Sequence, residues 1–256
     1  MQRTLLALIT LLIAAATGCA REGTDGPAPP LDSPAGPAAE TAALARGDAS
    51  GRLEKLKRDI RRVAQENRCR RDNLPEVRAE LQPLVDELLA LAPPAPEADK
   101  KALVVGAWEN LWSDLAYSPD VEATIDCKNI YQVVSPNGFY WNVSRQERPE
   151  GPVTSFLRGA YADAGDRLRI RFGQTIFTPG WLGESEDLIA LASLAEAGFI
   201  EGVTLPPLGI EGDLQNAYVD DELRIIIGGI DAIAPRKNLF VLKRSPSRFD
   251  GGRPSP

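Results

Sequence analysis

The chain has 256 residues, a formal net charge of −7 and no histidine. The acidic balance, with no basic stripe to interrupt it, argues against a nucleic-acid partner. The lack of histidine excludes His-dependent catalytic triads and His-ligated metal sites, and it removes the commonest general base at neutral pH. We therefore expect a protein that is not an enzyme and that has no cofactor and no metal site.

Residues 1–19 have the form of a bacterial lipoprotein signal peptide. Arg3 precedes an apolar run over residues 5–16 that is too short to span a bilayer comfortably, and the tetrapeptide ATGC resembles a lipobox. We predict cleavage before Cys19 and a lipid anchor on that residue; an ordinary cleaved signal with a spare cysteine is the alternative. Ala20, rather than Asp, at the next position favours an outer-membrane lipoprotein of the cell envelope.

Composition divides the remainder into a tether, one domain and a tail. Residues 20–50 are rich in Ala, Pro, Gly and Asp and contain almost no large apolar residue, which predicts a disordered tether. Residues 246–256, rich in Pro and Arg, predict a disordered tail. The domain between them is long enough for one sizeable core.

Two helices are predicted to lead into this domain over residues 51–97. Apolar side chains recur at helical spacing from about 52 to 67, and a second helix is expected over 75–91, with Pro83 expected to kink or break it. The apolar face of the second helix is expected to pack on the following strands or on the first helix; a partner-binding groove is the alternative.

A cluster of arginines lies on and after the first helix. A solvated helix face and a surface for anionic lipid headgroups are both compatible with it. Its members are Arg58, Arg61, Arg62, Arg68, Arg70 and Arg71.

The spacing changes to that of strands over residues 98–245. Runs of alternating or β-branched and aromatic residues, with a strong turn signal at 136–138, predict about eight strands that form an antiparallel barrel. The segment from 174 to 214 is too long for a plain turn. It contains a predicted helix over 186–197, with Ser185 as N-cap, which could cover the barrel mouth as a lid, pack on the outer wall or dip into the membrane.

Acidic and sulfur-containing side chains are the remaining candidates for chemistry. Asp220, Asp221 and Glu222 could supply an acid–base pair or a calcium site, but a hairpin turn needs polar residues at this place, and Asp163 and Asp166 are interpreted in the same way. Cys69 and Cys127 are expected to form a disulfide because an exported protein meets oxidising conditions; two buried free thiols are the alternative.

Four sequence blocks resemble the plastid lipid-associated protein family, also called fibrillins or plastoglobulins. The blocks PEVRAELQPLVDELLAL, GAWENLWSDLAYS, IYQVVSPNGFYWNVSR and YVDDELRI with FVLKR follow the order of the family's helical lead-in, first strand, second hairpin and C-terminal signature. The pair formed by Gly-x-Trp108 and the terminal VLKRSP also resembles lipocalins. The resemblance implies a β-dominated α+β fold: a lipocalin-like antiparallel barrel with an N-terminal helical hairpin and one inserted helix.

The same resemblance implies a membrane-anchored protein that binds or shields a hydrophobic small molecule, such as an isoprenoid, carotenoid, quinone or acyl lipid. A structural coat or scaffold protein with a filled barrel is the alternative, and a carboxylate-dependent hydrolase is a third possibility. The side chains expected to line a ligand cavity are Trp108, Trp112, Tyr131, Phe139, Trp141, Phe156, Ile170, Phe172, Tyr218 and Ile225.

By resemblance to lipocalins, Trp108 is expected to lie across the closed end of the barrel. Arg244 is expected to stack over its ring, with Arg224 as the second candidate for this contact.

Overall fold

The computed structural model describes residues 37–93, 96–117, 119–162, 165–183, 187–206, 209–229 and 237–245, with side chains of the first helix from residue 49 onward. The helices of these residues are α1 Pro37–Glu66, α2 Leu74–Leu91, α3 Glu97–Val104, the single turn α4 Pro119–Glu122, and α5 Leu188–Glu196. The strands are β1 Gly106–Ser113, β2 Ile125–Val134, β3 Phe139–Arg148, β4 Gly151–Ala162, β5 Arg167–Pro179, β6 Val203–Leu205, β7 Ile210–Val219, β8 Leu223–Gly229 and β9 Asn238–Arg244.

Eight of the strands close into an antiparallel barrel. The strands follow the order β4-β3-β2-β1-β9-β8-β7-β5, and an additional β4–β5 pairing joins the two ends. The short strand β6 pairs with β5 outside this barrel. The predicted fold class, an α+β protein dominated by a lipocalin-like barrel, is confirmed.

The interior of the barrel is identified by one hydrophobic cluster that draws side chains from strands all round it. Because neighbouring side chains on a strand point to opposite faces, only the inner face can bring residues of β1, β2, β3, β5, β7, β8 and β9 together. Its members on these strands are Trp108, Val134, Tyr140, Leu168, Ile170, Phe172, Ile210, Leu214, Val219, Ile226, Phe240 and Leu242.

The helical hairpin of α1 and α2 covers the outer face of β1, β8 and β9. Apolar side chains of both helices form a second cluster with Leu111, Trp112 and Ile225 of those strands. The predicted apolar face of α2 is buried at Val77, Leu81, Val85 and Leu88, as expected for a helix that packs on its own domain. The hairpin therefore forms a second hydrophobic core with one outer side of the barrel.

These helices differ from the expectation in two places: part of the predicted tether is helical, and α2 is not broken at Pro83. The helix α1 begins at Pro37, so residues 37–50 of the predicted disordered tether are helical. Alanine, which has the highest helix propensity, is frequent there and extends the helix beyond its apolar face. The helix α2 continues through Pro83, which is exposed, so the hydrogen bond that a proline removes is lost on the solvent side.

The inserted helix α5 packs on the outer wall of the barrel. Its buried side chains, Leu188, Leu191, Ala192 and Ala195, belong to a third cluster with the outward-facing Val133, Trp141, Val143, Phe156 and Ile176. Of the three predicted placements, the described residues therefore favour the outer wall. Asp187 is the N-cap, since its carboxylate accepts from the backbone N–H groups of Ile189 and Ala190 at 2.7 and 3.3 Å.

Some of the predicted features lie outside the described residues. These are the signal peptide with Cys19, the tether up to residue 36, Asp163, Ser185 and Glu186, and the tail 246–256. Within the described part of the chain, no helix is both long and apolar enough to cross a membrane.

Candidate functional site: the barrel mouth

Only three of the ten predicted cavity residues face the barrel interior. Trp108, Ile170 and Phe172 lie in the interior cluster. Trp112, Tyr218 and Ile225 lie outside under α1 and α2, whereas Tyr131, Phe139, Trp141 and Phe156 lie outside against α5. The prediction is wrong for these seven because helices cover the outer wall, so that both faces of a strand are apolar and alternation alone does not identify the inner one.

The closed end of the barrel is built as predicted. Trp108 is fully buried, and the guanidinium carbon of Arg244 lies 3.9 Å from the centre of its rings. The indole N–H donates to the carbonyl of Val104 at 2.8 Å, while Arg244 donates to those of Leu103 and Val105 at 2.6 and 2.7 Å. These carbonyls end α3, so the Trp–Arg pair fixes that helix under the barrel.

Arg224, the second candidate for stacking, lies in the interior. Its side chain is completely buried, and its guanidinium carbon is 5.8 Å from the centre of the Trp108 rings. Its Nε donates to Asn216 Oδ1 at 2.9 Å and its Nη1 to Gln132 Oε1 at 3.3 Å, whereas its Nη2 has no hydrogen-bond partner among the described residues. Burial lowers the pKa of this guanidinium to about 10, so it stays charged at neutral pH.

Polar side chains extend from this arginine towards the mouth of the barrel, the end opposite Trp108. Gln132 pairs with Asn142, and Ser144 pairs with Ser155, at inward positions of β2, β3 and β4. Asn142 and Ser144 are only half-buried although they face inward, so solvent reaches this part of the interior. The barrel is thus apolar and packed at its closed end and polar at its mouth.

Two amide groups next to Arg224 present free donors. The carbonyl oxygen of Gln132 accepts from Arg224, and that of Asn142 accepts from the Tyr140 hydroxyl at 2.9 Å. The NH₂ group of each amide has no hydrogen-bond acceptor among the described residues, so it can donate to a ligand. We refer to Arg224, Gln132 and Asn142 as the donor cluster.

A cleft of about 110 Å³ lies beside the mouth. The α1–α2 turn supplies Arg68, Cys69 and Arg71, while the barrel supplies Asn110 and Ile130 from inward positions. The buried Oδ1 of Asn110 has no hydrogen-bond partner among the described residues. The cleft therefore reaches the barrel interior at this side chain.

The disulfide between Cys69 and Cys127 forms one wall of this cleft, and it confirms the predicted pairing. The two Cα atoms are 5.4 Å apart. Arg68 reinforces the link, because it pairs with Glu109 at 2.5 Å and donates to the carbonyl of Lys128 at 2.8 Å. The helical hairpin is thus fastened to the rim of the barrel.

The arginine cluster of the helical hairpin is largely neutralised. Carboxylates lie within 4 Å of most members: the pairs are Arg61–Glu222, Arg62–Glu66, Arg68–Glu109, Arg70–Asp72 and Arg71–Glu122. Such pairs are typical of a solvated helix face and leave little net charge for anionic headgroups.

The acidic segment at the β7–β8 connection forms the expected turn. Asp220 Oδ1 accepts from the backbone N–H groups of Glu222 and Leu223 at 2.8 and 2.7 Å. Asp166, in the second acidic turn, pairs with Lys100. Among the described residues, no group of three or more His, Cys, Asp or Glu side chains is placed to hold a metal ion.

Sequence reasoning missed most of the donor cluster. Gln132 and Asn142 of this cluster were not among the candidates, and neither was Asn216, which accepts from Arg224. A buried amide at an inward position is the signal that could have identified them, because buried polar groups need partners. In comparisons with known proteins, no family model and no curated protein matches the chain.

Proposed function

We propose that this protein is a membrane-tethered, non-enzymatic binding protein that takes the polar end of a small lipid-like molecule into its barrel mouth. One observation carries the proposal: the barrel interior is packed with apolar side chains at its closed end and lined by half-buried polar side chains at its mouth. Half-buried polar side chains at the opening of an apolar interior are a usual feature of a site that orients an amphiphilic ligand.

This geometry narrows the ligand classes that the family resemblance implies. A carotenoid or long isoprenoid needs an extended apolar cavity, and the closed half of the barrel is filled by Trp108, Tyr140 and Phe172 among others. An acyl lipid could instead place its headgroup in the mouth and leave its chain along the cleft or outside. We therefore favour an acyl lipid over a carotenoid, an isoprenoid or a quinone.

A structural scaffold that acts through its outer surface is the second candidate. The packed closed half of the barrel supports it, as do the exposed side chains of Leu194, Phe199 and Val203 around the insert. A carboxylate-dependent hydrolase has less support, because both hydrogen bonds of Arg224 go to amide oxygens and none goes to a carboxylate among the described residues.

Lipid mass spectrometry on protein purified from membranes in mild detergent tests the proposal. We expect one amphiphile class to be enriched at close to one molecule per protein. Ser144→Trp, which fills the mouth from an inward position, should abolish this enrichment, whereas Glu147→Trp on the outer face should not. Equal lipid profiles for the two variants and the original protein would instead support the scaffold.

A further inference from the structure

Arg224 is an exception among the buried cations of this protein. The side chains of Lys57, Arg68 and Arg78 are 8%, 9% and 15% exposed, and each pairs with a carboxylate, at 2.7, 2.5 and 2.8 Å respectively. Arg224 is 0% exposed, yet its hydrogen bonds go to the amide oxygens of Asn216 and Gln132 only. The most deeply buried of these four cations is thus the one that pairs with no carboxylate in the part of the chain that the structure describes.

A neighbouring cation increases this imbalance. The guanidinium carbons of Arg244 and Arg224 lie 3.9 and 5.8 Å from the centre of the Trp108 rings. Two positive charges therefore lie beside the same indole. A buried charge is costly unless it is paired, and amide oxygens supply only partial charges. The charge of Arg224 itself therefore has only amide oxygens as hydrogen-bond acceptors among the described side chains.

We infer that the donor cluster is a binding site for a carboxylate or a monovalent anion of similar size. The inference rests on the proposed function, since it assigns the chemical class of the group that enters the mouth. The free Nη2 of Arg224 and the NH₂ groups of Gln132 and Asn142 are all donors, and none of them accepts. An anion that accepts from several such donors restores the missing charge and satisfies the buried Nη2.

Two sources could supply this anion: the headgroup of a fatty-acid-like lipid or a small free carboxylate. Calorimetric titration with sodium octanoate, 1-octanol and sodium formate separates them. The protein for these titrations is the mature chain with Cys19→Ser, which lacks only the acyl anchor and keeps every described residue. Octanoate and octanol have the same chain and differ in the headgroup charge.

We expect octanoate to bind at least about ten-fold more tightly than octanol, which corresponds to about 1.4 kcal/mol. Arg224→Met keeps much of the stem but removes the charge, so it should bring the two affinities together. Arg158→Met is the matched control, because Arg158 stacks at 4.4 Å on the Phe139 ring outside the barrel. It should leave both affinities unchanged.

The outcomes distinguish the inference from the proposed function. Equal binding of octanoate and octanol to the Cys19→Ser chain with Arg224 intact overturns the anion site and leaves amphiphile binding intact. This comparison does not depend on whether Arg224→Met folds. Binding of formate without octanoate supports the anion site and contradicts the lipid ligand. If none of the three compounds binds, the inference is wrong, and lipid enrichment alone then decides the proposed function.

Discussion

At the scale of single residues, Asp220 joins the helical hairpin to the barrel. Besides holding its own turn, this carboxylate accepts from Lys57 of α1 at 2.7 Å and from the Tyr218 hydroxyl at 2.8 Å. Burial raises the pKa of Asp220, but the hydrogen bonds from Lys57, from backbone N–H groups and from Tyr218 outweigh it and hold the pKa below its ordinary value. The charged form is therefore more favourable in the folded protein than in the unfolded chain.

We predict that Asp220→Asn lowers the free energy of unfolding at pH 7 by about 1–3 kcal/mol, because Lys57 loses a charged partner at a mostly buried position. A carboxyl whose folded pKa is depressed contributes stability above its unfolded pKa of about 4, and this contribution disappears as the pH falls through the folded pKa. The difference between the two proteins should therefore be full at pH 7 and shrink below about pH 4.

Urea unfolding at several pH values between 7 and 2.5 measures this difference. Glu66→Gln is the control, since the Arg62–Glu66 pair is more than half exposed on both sides and should contribute little. A difference for Asp220→Asn that stays constant down to pH 2.5 would contradict the assignment.

At the scale of elements, the helical hairpin is fastened to the barrel rim at its turn. The Cys69–Cys127 disulfide joins the α1–α2 connection to β2 over a sequence separation of 58 residues. Arg68 donates to the carbonyl of Cys127 at 3.2 Å, and Arg71 donates to that of Ser113 at 3.3 Å. Because the same residues line the cleft, the covalent link also sets the shape of the mouth.

We predict that the double variant Cys69→Ala/Cys127→Ala folds but unfolds more easily. In the chain-entropy model, cross-linking a loop of this length lowers the entropy of the unfolded chain and so stabilises the folded protein by roughly 4 kcal/mol. This value is an upper limit for the decrease in the free energy of unfolding of the variant. The hydrogen bonds of Arg68 and Arg71 should keep the hairpin docked. Chemical denaturation measures the loss, and reduced protein of the original sequence should match the variant.

The disulfide also has a direct check. Original protein should migrate differently on a denaturing gel with and without reductant, and denatured protein should contain no free thiol at Cys69 or Cys127. Two titratable thiols there would disprove the link.

At the scale of the whole molecule, the sequence predicted those features that depend on local pattern. Alternation and turn residues predicted the strands of the barrel. The closed end, with Trp108 of the first strand and Arg244 of the last, was predicted from the resemblance to lipocalins instead. The sequence could not identify which face of a strand is inside, since Trp112 and Trp141 lie under helices contributed by distant segments. The strand β6 was missed because three residues carry too little periodicity to be recognised.

We propose that the predicted N-terminal anchor holds the barrel and its covering helices at a membrane. The proposal rests on the lipobox-like sequence ATGC that ends at Cys19. A triacyl anchor would hold the domain firmly, whereas a single acyl chain binds membranes only marginally.

We predict that Cys19 is the mature N-terminus and carries the acyl groups. Metabolic labelling with palmitate should label the original protein and not Cys19→Ala, and the variant should leave the membrane fraction because no other anchor is predicted. Ala20→Asp is the matched control, since it preserves the acylated cysteine and changes only the residue expected to favour the outer membrane. It should remain labelled and move towards the inner membrane. Equal labelling and complete membrane partitioning of Cys19→Ala would show that the anchor lies elsewhere. The proposal that a lipid anchor at Cys19 brings the barrel mouth close to membrane lipid would then be wrong.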